Sequence, residues 1–194
     1  MNPELADDLV PVTGRSYGVE LMAKKTTGKI TGWVSYSYSR ARLKEMGDRG
    51  LEAIAHGEWY NASYDKPHEF KFVGNFALTH RYSFSVNVDY STGRPVTVPI
   101  GMYYYGGTYR MAYSTRNAHR IPDYFRTDIA FNIDPGHYLK AAFHTTITLG
   151  VYNVTGRKNP YSVFFKASPY GMSKGYMLSV FATQIPYINI NFLF

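Results

Sequence analysis

The chain has no cysteine among its 194 residues, which excludes disulfides, thiolate metal sites and cysteine nucleophiles together. It has no apolar run approaching the ~20 residues that a membrane helix needs. That absence leaves membrane-crossing strands open, because such strands hide their hydrophobicity in alternation. The opening segment, Met1 to Leu9, is acidic and lacks an apolar core, so it does not read as a secretory signal. A barrel with this start would need a longer N-terminus to reach an outer membrane; otherwise the chain is cytoplasmic.

Catalytic motifs are missing as well. His56, His68, His80, His119, His137 and His144 are scattered without metal-ligand spacing. Gly14-Arg15-Ser16 and Gly156-Arg157-Lys158 lack the spacing of a nucleophile elbow or a phosphate loop. The expectation is no enzyme, no metal and no cofactor. The net charge of +7 is carried in loops between tyrosines, without a basic stripe or a recognised nucleic-acid module, so nucleic acid is not an expected partner.

Aromatic residues are abundant at 17%, with 19 Tyr against 2 Trp. Tyrosine joins an apolar body to a polar tip and suits boundaries between hydrocarbon and water. The dominant pattern is a period of two. Tyr17, Val19, Leu21 and Ala23 alternate with Gly18, Glu20, Met22 and Lys24; Val34, Tyr36 and Tyr38 alternate with Ser35, Ser37 and Ser39. The same holds for Phe70, Phe72, Phe76 and Leu78, for Tyr82 to Tyr90, for Phe125 to Ile133, and for Phe143 to Val151. Such alternation predicts strands with unlike faces.

The final stretch, Tyr176 to Phe194, reads as one further strand whose even-numbered register runs on through Gln184 and Pro186. Leu178, Val180, Ala182, Ile188, Ile190, Phe192 and Phe194 then fall on one face. Residues 1–15 read as loop, and 40–67, 91–123 and 155–175 as long connections, the first with a helical turn near Leu51 to Ala55. Between them lie short turns at Thr26 to Lys29, at Thr79 to Arg81, and at Asp134-Pro135-Gly136. Short and long connections thus alternate, as they do in outer-membrane barrels. The expected fold is all-β, an antiparallel transmembrane β-barrel segment of about seven strands. Bacterial barrels have even strand numbers and tolerate no open edge in lipid, so this would be part of a larger barrel.

Several stretches resemble the C-terminal part of the barrel of TonB-dependent outer-membrane receptors, especially the Bacteroidetes-type ones. They are Gly14-Arg15-Ser16-Tyr17-Gly18-Val19-Glu20-Leu21, Lys25-Thr26-Thr27-Gly28, Tyr64-Asp65-Lys66-Pro67-His68, Tyr90-Ser91-Thr92-Gly93-Arg94-Pro95, and the segment from Val151 to Tyr161. The resemblance covers about residues 14 to 194 and divides the chain into an outer loop segment, 1–15, and barrel, 16–194. It implies a parent barrel of roughly 22 strands, with the plug domain and the first strands absent from this chain. It also implies active uptake of a scarce ligand, a ferric siderophore or similar iron chelate, coupled to the TonB complex through that plug. The terminal residues Ile190, Phe192 and Phe194 resemble the strand read by the barrel-assembly machinery.

Two sets of residues are candidates for function. Glu20, Lys24, Glu69, Lys71, Asp89, Arg126, Asp128 and His144 form a polar row expected to face the lumen. They either pair with one another and a plug, or line the ligand path. In the connection from Ser91 to Asp123, Tyr103, Tyr104, Tyr105, Tyr109, Arg110, Tyr113, Arg116 and Arg120 combine rings with positive charge, which suits an aromatic or anionic ligand. The same residues could instead extend strands above the membrane, their arginines meeting outer-membrane lipid and lipopolysaccharide. A passive porin or adhesin barrel and a soluble aromatic-rich β-sandwich binding module are the other classes these residues admit.

Overall fold

In the computed structural model, residues 9–47, 50, 53–135, 144–166, 174–180 and 182–193 are described. Seven long strands form one antiparallel sheet: β1 (Val12–Lys25), β2 (Ile30–Glu45), β4 (His68–Ala77), β5 (Tyr82–Ser91), β10 (Tyr124–Ile133), β11 (His144–Tyr152) and β14 (Ile185–Leu193). A two-residue strand, β3 (Tyr60–Asn61), pairs with β2 beyond the start of β4. The remaining strands lie in the long connections as small ladders: β6 (Pro95–Val96) with β9 (His119–Arg120), β7 (Pro99–Tyr105) with β8 (Thr108–Tyr113), and β12 (Pro160–Lys166) with β13 (Lys174–Ser179).

The register divides the sheet into two chemically distinct faces. Opposed residues share a face, so Glu20, Ser37, Glu69 and Ser91 lie in one row, and Lys71, Asp89 and Arg126 in the next. On this face Asn75 bonds Ser85 (2.7 Å), Asn132 donates to Ser85 (3.1 Å), and Thr148 donates to Asn132 (2.8 Å). The opposite face carries Leu21 across from Tyr36, Phe72 across from Val88, and Ile147 across from Ile190. Its rings touch laterally, as in Phe76 with Phe84 (6.4 Å) and Tyr82 with Phe131 (5.8 Å). Among the described residues no second layer covers it: Val19, Leu21, Ile188 and Phe192 are each more than half exposed.

Among the described residues the buried apolar side chains are Tyr60, Ala62 and Ile121, all in or beside loops. A soluble sandwich would bury one whole face of the sheet against another, and this sheet does not. The sandwich alternative is overturned on that ground.

Two short turns, 26–29 and 78–81, occupy one end of the sheet and long connections the other; the β10–β11 connection, 134–143, lies mostly outside the described residues, so the turn expected at Asp134-Pro135-Gly136 is not described. Thr79 Oγ1 accepts the N–H groups of Arg81 (3.2 Å) and Tyr82 (3.1 Å), which closes the β4–β5 turn. At the long-connection end the strands run further than expected. The first starts at Val12, inside the segment read as loop, and the second continues to Glu45, because Val12 to Ser16 pair fully with Ala41 to Glu45. Near the expected helical turn, Ile54–Gly57 form a 3-10 turn in which Ala55 and His56 take positive φ (52° and 55°) and so depart from helix; Leu51 and Glu52 lie outside the described residues.

The larger correction concerns the last stretch. Tyr176 to Phe194 is not one strand: β13 pairs with β12 in a loop ladder, and β14 alone joins the sheet against β11. Leu178 and Val180 therefore do not continue the face of Ile188 and Ile190. Pro186 lacks the N–H that would let a strand run through the ladder unbroken, yet it is accommodated at the start of β14, opposite Val151. Among the described residues the sheet still has seven long strands, because β13 belongs to the loop, with the two-residue β3 as an eighth beside β2. Gly136, Phe143 and Phe194 lie outside the described residues.

Candidate ligand-contact surface at the loop end of the sheet

The tyrosine-rich connection builds a projecting hairpin. Gly106 and Gly107 both take positive φ (60° and 81°), the backbone a two-residue turn of type I′ requires, and so close β7 onto β8. Tyr104 faces Tyr109 across the ladder with ring centroids 5.2 Å apart. The Arg110 guanidinium lies 5.4 Å from the centre of the Tyr105 ring. Tyr103, Tyr104, Tyr105, Tyr109 and Tyr113 are all at least half exposed. Six of the eight predicted loop residues thus share one hairpin, and Arg116 is exposed just beyond it.

Arg120 is different. It sits at the base of the connection, where its guanidinium donates to the carbonyls of Asp65 (2.8 Å) and Gly93 (2.9 Å) and to the Asp65 carboxylate. Its charge is committed to Asp65, which is buried and also accepts the Ala41 N–H (2.7 Å), with Arg40 at 3.8 Å. Arg120 is therefore a tie between two loops rather than part of the exposed cluster.

That tie belongs to a set of polar clamps joining the three long connections. Asn61 and Asn117 exchange side-chain-to-carbonyl bonds (2.7 and 3.4 Å). Asp123 accepts the Gly93 N–H (2.9 Å) and the Tyr90 hydroxyl (2.8 Å). The Gly93 N–H, then the Tyr90 hydroxyl and the positive Arg157 and Arg120, hold the Asp123 carboxyl below the usual carboxylate range, against the opposing pull of burial. Arg157 donates to the Asp123 carbonyl (2.9 Å), and Arg94 to the Tyr161 carbonyl (2.9 Å). Asn159 bonds both the N–H and the carbonyl of Phe125, each at 2.9 Å.

A cleft of about 570 Å³ opens between these clamps, with Tyr64, Lys66, Arg94, Tyr124 and Tyr161 in its wall. It shares Tyr124, Asn159 and Val180 with a second hollow of about 440 Å³, which reaches Arg126 and Tyr152 on the polar face. There Arg126 grips Asp128 with two bonds (2.7 and 2.6 Å) and lies 5.2 Å from the Tyr152 ring centre. A third hollow of about 270 Å³ continues past Arg126 to Lys71 and Asp89. Rings, cations and amides line these hollows, which suits binding by stacking and charge. Among the described residues no group of three or more His, Asp or Glu side chains could hold a metal ion.

The polar row predicted from sequence falls at register positions of a single face, including His144 opposite Leu193. Ile190 and Phe192 lie on the other, opposite Ile147 and Thr145. Asp65, Asn117, Asn153 and Asn159 are not among the site residues that the sequence suggests, although they are buried polar groups that fix the loops. Asn159, which precedes Pro160, carries a turn signal, whereas Asp65, Asn117 and Asn153 stand beside neither Pro nor Gly.

A one-layer antiparallel sheet, apolar on one face and polar on the other, with tight turns at one end and long loops at the other, is the wall of a transmembrane β-barrel. The chain belongs to the TonB-dependent receptor-like β-barrel family, whose model matches residues 10–154. No curated protein and no solved structure matches it. The family comprises outer-membrane receptors and transporters.

Proposed function

We propose that this chain is the C-terminal, seven-strand portion of a TonB-dependent receptor that imports an iron chelate such as a ferric siderophore. The polar face lines the lumen and the apolar face meets lipid. The long connections stand on the cell surface. The barrel-assembly machinery reads the last strand, and the TonB complex acts through a plug contributed by the rest of the receptor.

The observation that carries this reading is that the loop cleft, with Lys66, Arg94 and Tyr124, shares wall residues with the hollow that reaches Arg126 and Tyr152 on the polar face. An iron chelate presents negative oxygens and flat ligand groups, which cations and ring faces recognise. The Tyr103–Tyr113 hairpin would make the first contact.

The test is uptake of radiolabelled ferric chelates by cells producing the whole receptor, with and without TonB. Saturable, TonB-dependent uptake that falls at least tenfold in Arg94→Ser with Tyr124→Ala supports the proposal. TonB-independent passage of small solutes, unaffected by these substitutions, would favour the passive porin.

A further inference from the structure

The face opposite the polar row ends, at the loop side, in a group of cations that the transport reading does not use. Arg15 and Arg42 are directly opposed across β1 and β2, Lys44 is opposed to Thr13 on the next rung of the same face, and Arg40 is opposed to Tyr17 on the rung below. Like charges directly across a strand pair repel and destabilise it. Arg40 is relieved by Asn61 (3.0 Å) and by Asp65. Among the described residues, none of Arg15, Arg42 and Lys44 has a carboxylate within 4.0 Å. The nearest acid along the strand, Glu45, is buried on the other face and bonds the Ile54 N–H. Arg15 is fixed instead by the Trp59 ring, 4.2 Å beneath its guanidinium.

The height of this group along the strand indicates what it meets. Between Lys25 at the turn end and Arg15 at the loop end, this face of β1 carries Ala23, Leu21, Val19 and Tyr17. Ten residues at ~3.3 Å each, tilted by ~40°, span about 25 Å, which is the height of a barrel's apolar band. Arg15, Arg42 and Lys44 therefore stand just above the acyl region, at the level of headgroups, with Trp59 where interfacial tryptophans sit.

We propose that Arg15, Arg42 and Lys44 form a binding site for the phosphate of an outer-leaflet glycolipid, its acyl chains lying on Tyr17, Val19 and Leu21. Two guanidinium forks and an ammonium match a phosphate group, and its charge removes the repulsion between Arg15 and Arg42. The inference rests on the loop end facing outward, as in the transport reading, but its test involves no uptake. Failure of one therefore does not imply failure of the other.

The experiment uses the whole receptor in detergent, incubated with phosphorylated lipid A and, separately, with the same lipid after enzymatic removal of its phosphate. Native mass spectrometry counts the retained lipid. The wild type is expected to retain the phosphorylated form at least tenfold better than the dephosphorylated one. Arg15→Ser with Arg42→Ser should abolish that preference, and Arg15→Lys with Arg42→Lys should restore only part of it, since ammonium groups supply the charge without the guanidinium fork. Folding of each variant is checked by the unheated gel shift of a closed barrel, so an unfolded Ser variant is recognised and replaced by Lys44→Ser. Equal retention of both lipids by the wild type, or undiminished preference in the folded variants, would overturn the proposal. Displacement of the lipid by an equal concentration of inorganic phosphate would also overturn it, because the site would then be one for soluble anions.

Discussion

Removing the Asp65 carboxylate should loosen two outer loops at once while leaving the barrel wall intact. Asp65 accepts the Ala41 N–H (2.7 Å) and receives the Arg120 guanidinium, and it is 1% exposed. In Asp65→Ala, a buried N–H left without an acceptor costs about 1–3 kcal/mol. The charged bond to Arg120 contributes about 1.5–3 kcal/mol, discounted because that side chain is 25% exposed and retains the carbonyls of Asp65 and Gly93. The total is about 3 kcal/mol, or roughly a hundredfold in the opening equilibrium. Hydrogen exchange in detergent reads it directly. Amides of 60–67, 93–97 and 117–121 should exchange about a hundredfold faster, while those of 82–91 should not change. Asp65→Ala with Arg120→Ala should cost less than the sum of the singles, since both remove one interaction. Protection of 117–121 that stays within threefold of wild type would refute the role assigned to this tie.

Acid should act on a second clamp. The Asp123 carboxyl is held low by the Gly93 N–H and the Tyr90 hydroxyl, so its contribution is complete above its unfolded value near ~4 and is lost as pH falls through the lower folded value. Protection of the Gly93 amide, measured against its intrinsic exchange rate at each pH, should fall below about pH 4 in the wild type, and should be lower and lose this pH dependence in Asp123→Asn. Gly93→Ala should dislodge the same loop, because a Cβ there would lie 1.7 Å from the Ile121 carbonyl oxygen; limited proteolysis between 92 and 123 reports it. On the wall, Leu21→Arg should cost about 2–4 kcal/mol, the penalty for a cation on the lipid face near mid-height. Glu20→Arg, one residue away on the polar face, should cost little. Urea titration of the folded gel band compares the two.

The wall was legible in the sequence because its signal is local and repeated. Alternations such as Tyr82, Phe84, Val86 and Val88 against Ser83, Ser85, Asn87 and Asp89 specify strand and face together. The loop end was not legible to the same degree. Tyr176 to Ser179 keep the same period as Ile185 to Leu193, yet periodicity cannot say which neighbour a strand pairs with, and β13 pairs with β12. Arg120 looked like its neighbours in a basic loop; its partner Asp65 is distant in sequence, and only the fold brings the two together. The exposed hairpin residues were found by composition, whereas Asn117, Asn153 and Asn159 look like ordinary turn residues until their burial is seen.

The central claim is that one face of this sheet meets lipid and the other meets water. The lack of native cysteine makes it directly measurable with single-cysteine spin labels placed one at a time from Ser83 to Tyr90 in the membrane-reconstituted receptor. The account predicts a strict period of two: collision with oxygen dominant at Phe84, Val86, Val88 and Tyr90, and with a water-soluble nickel chelate at Ser83, Ser85, Asn87 and Asp89. A profile without alternation, or one in which Phe84, Val86 and Val88 meet the chelate as readily as Asn87, would contradict it.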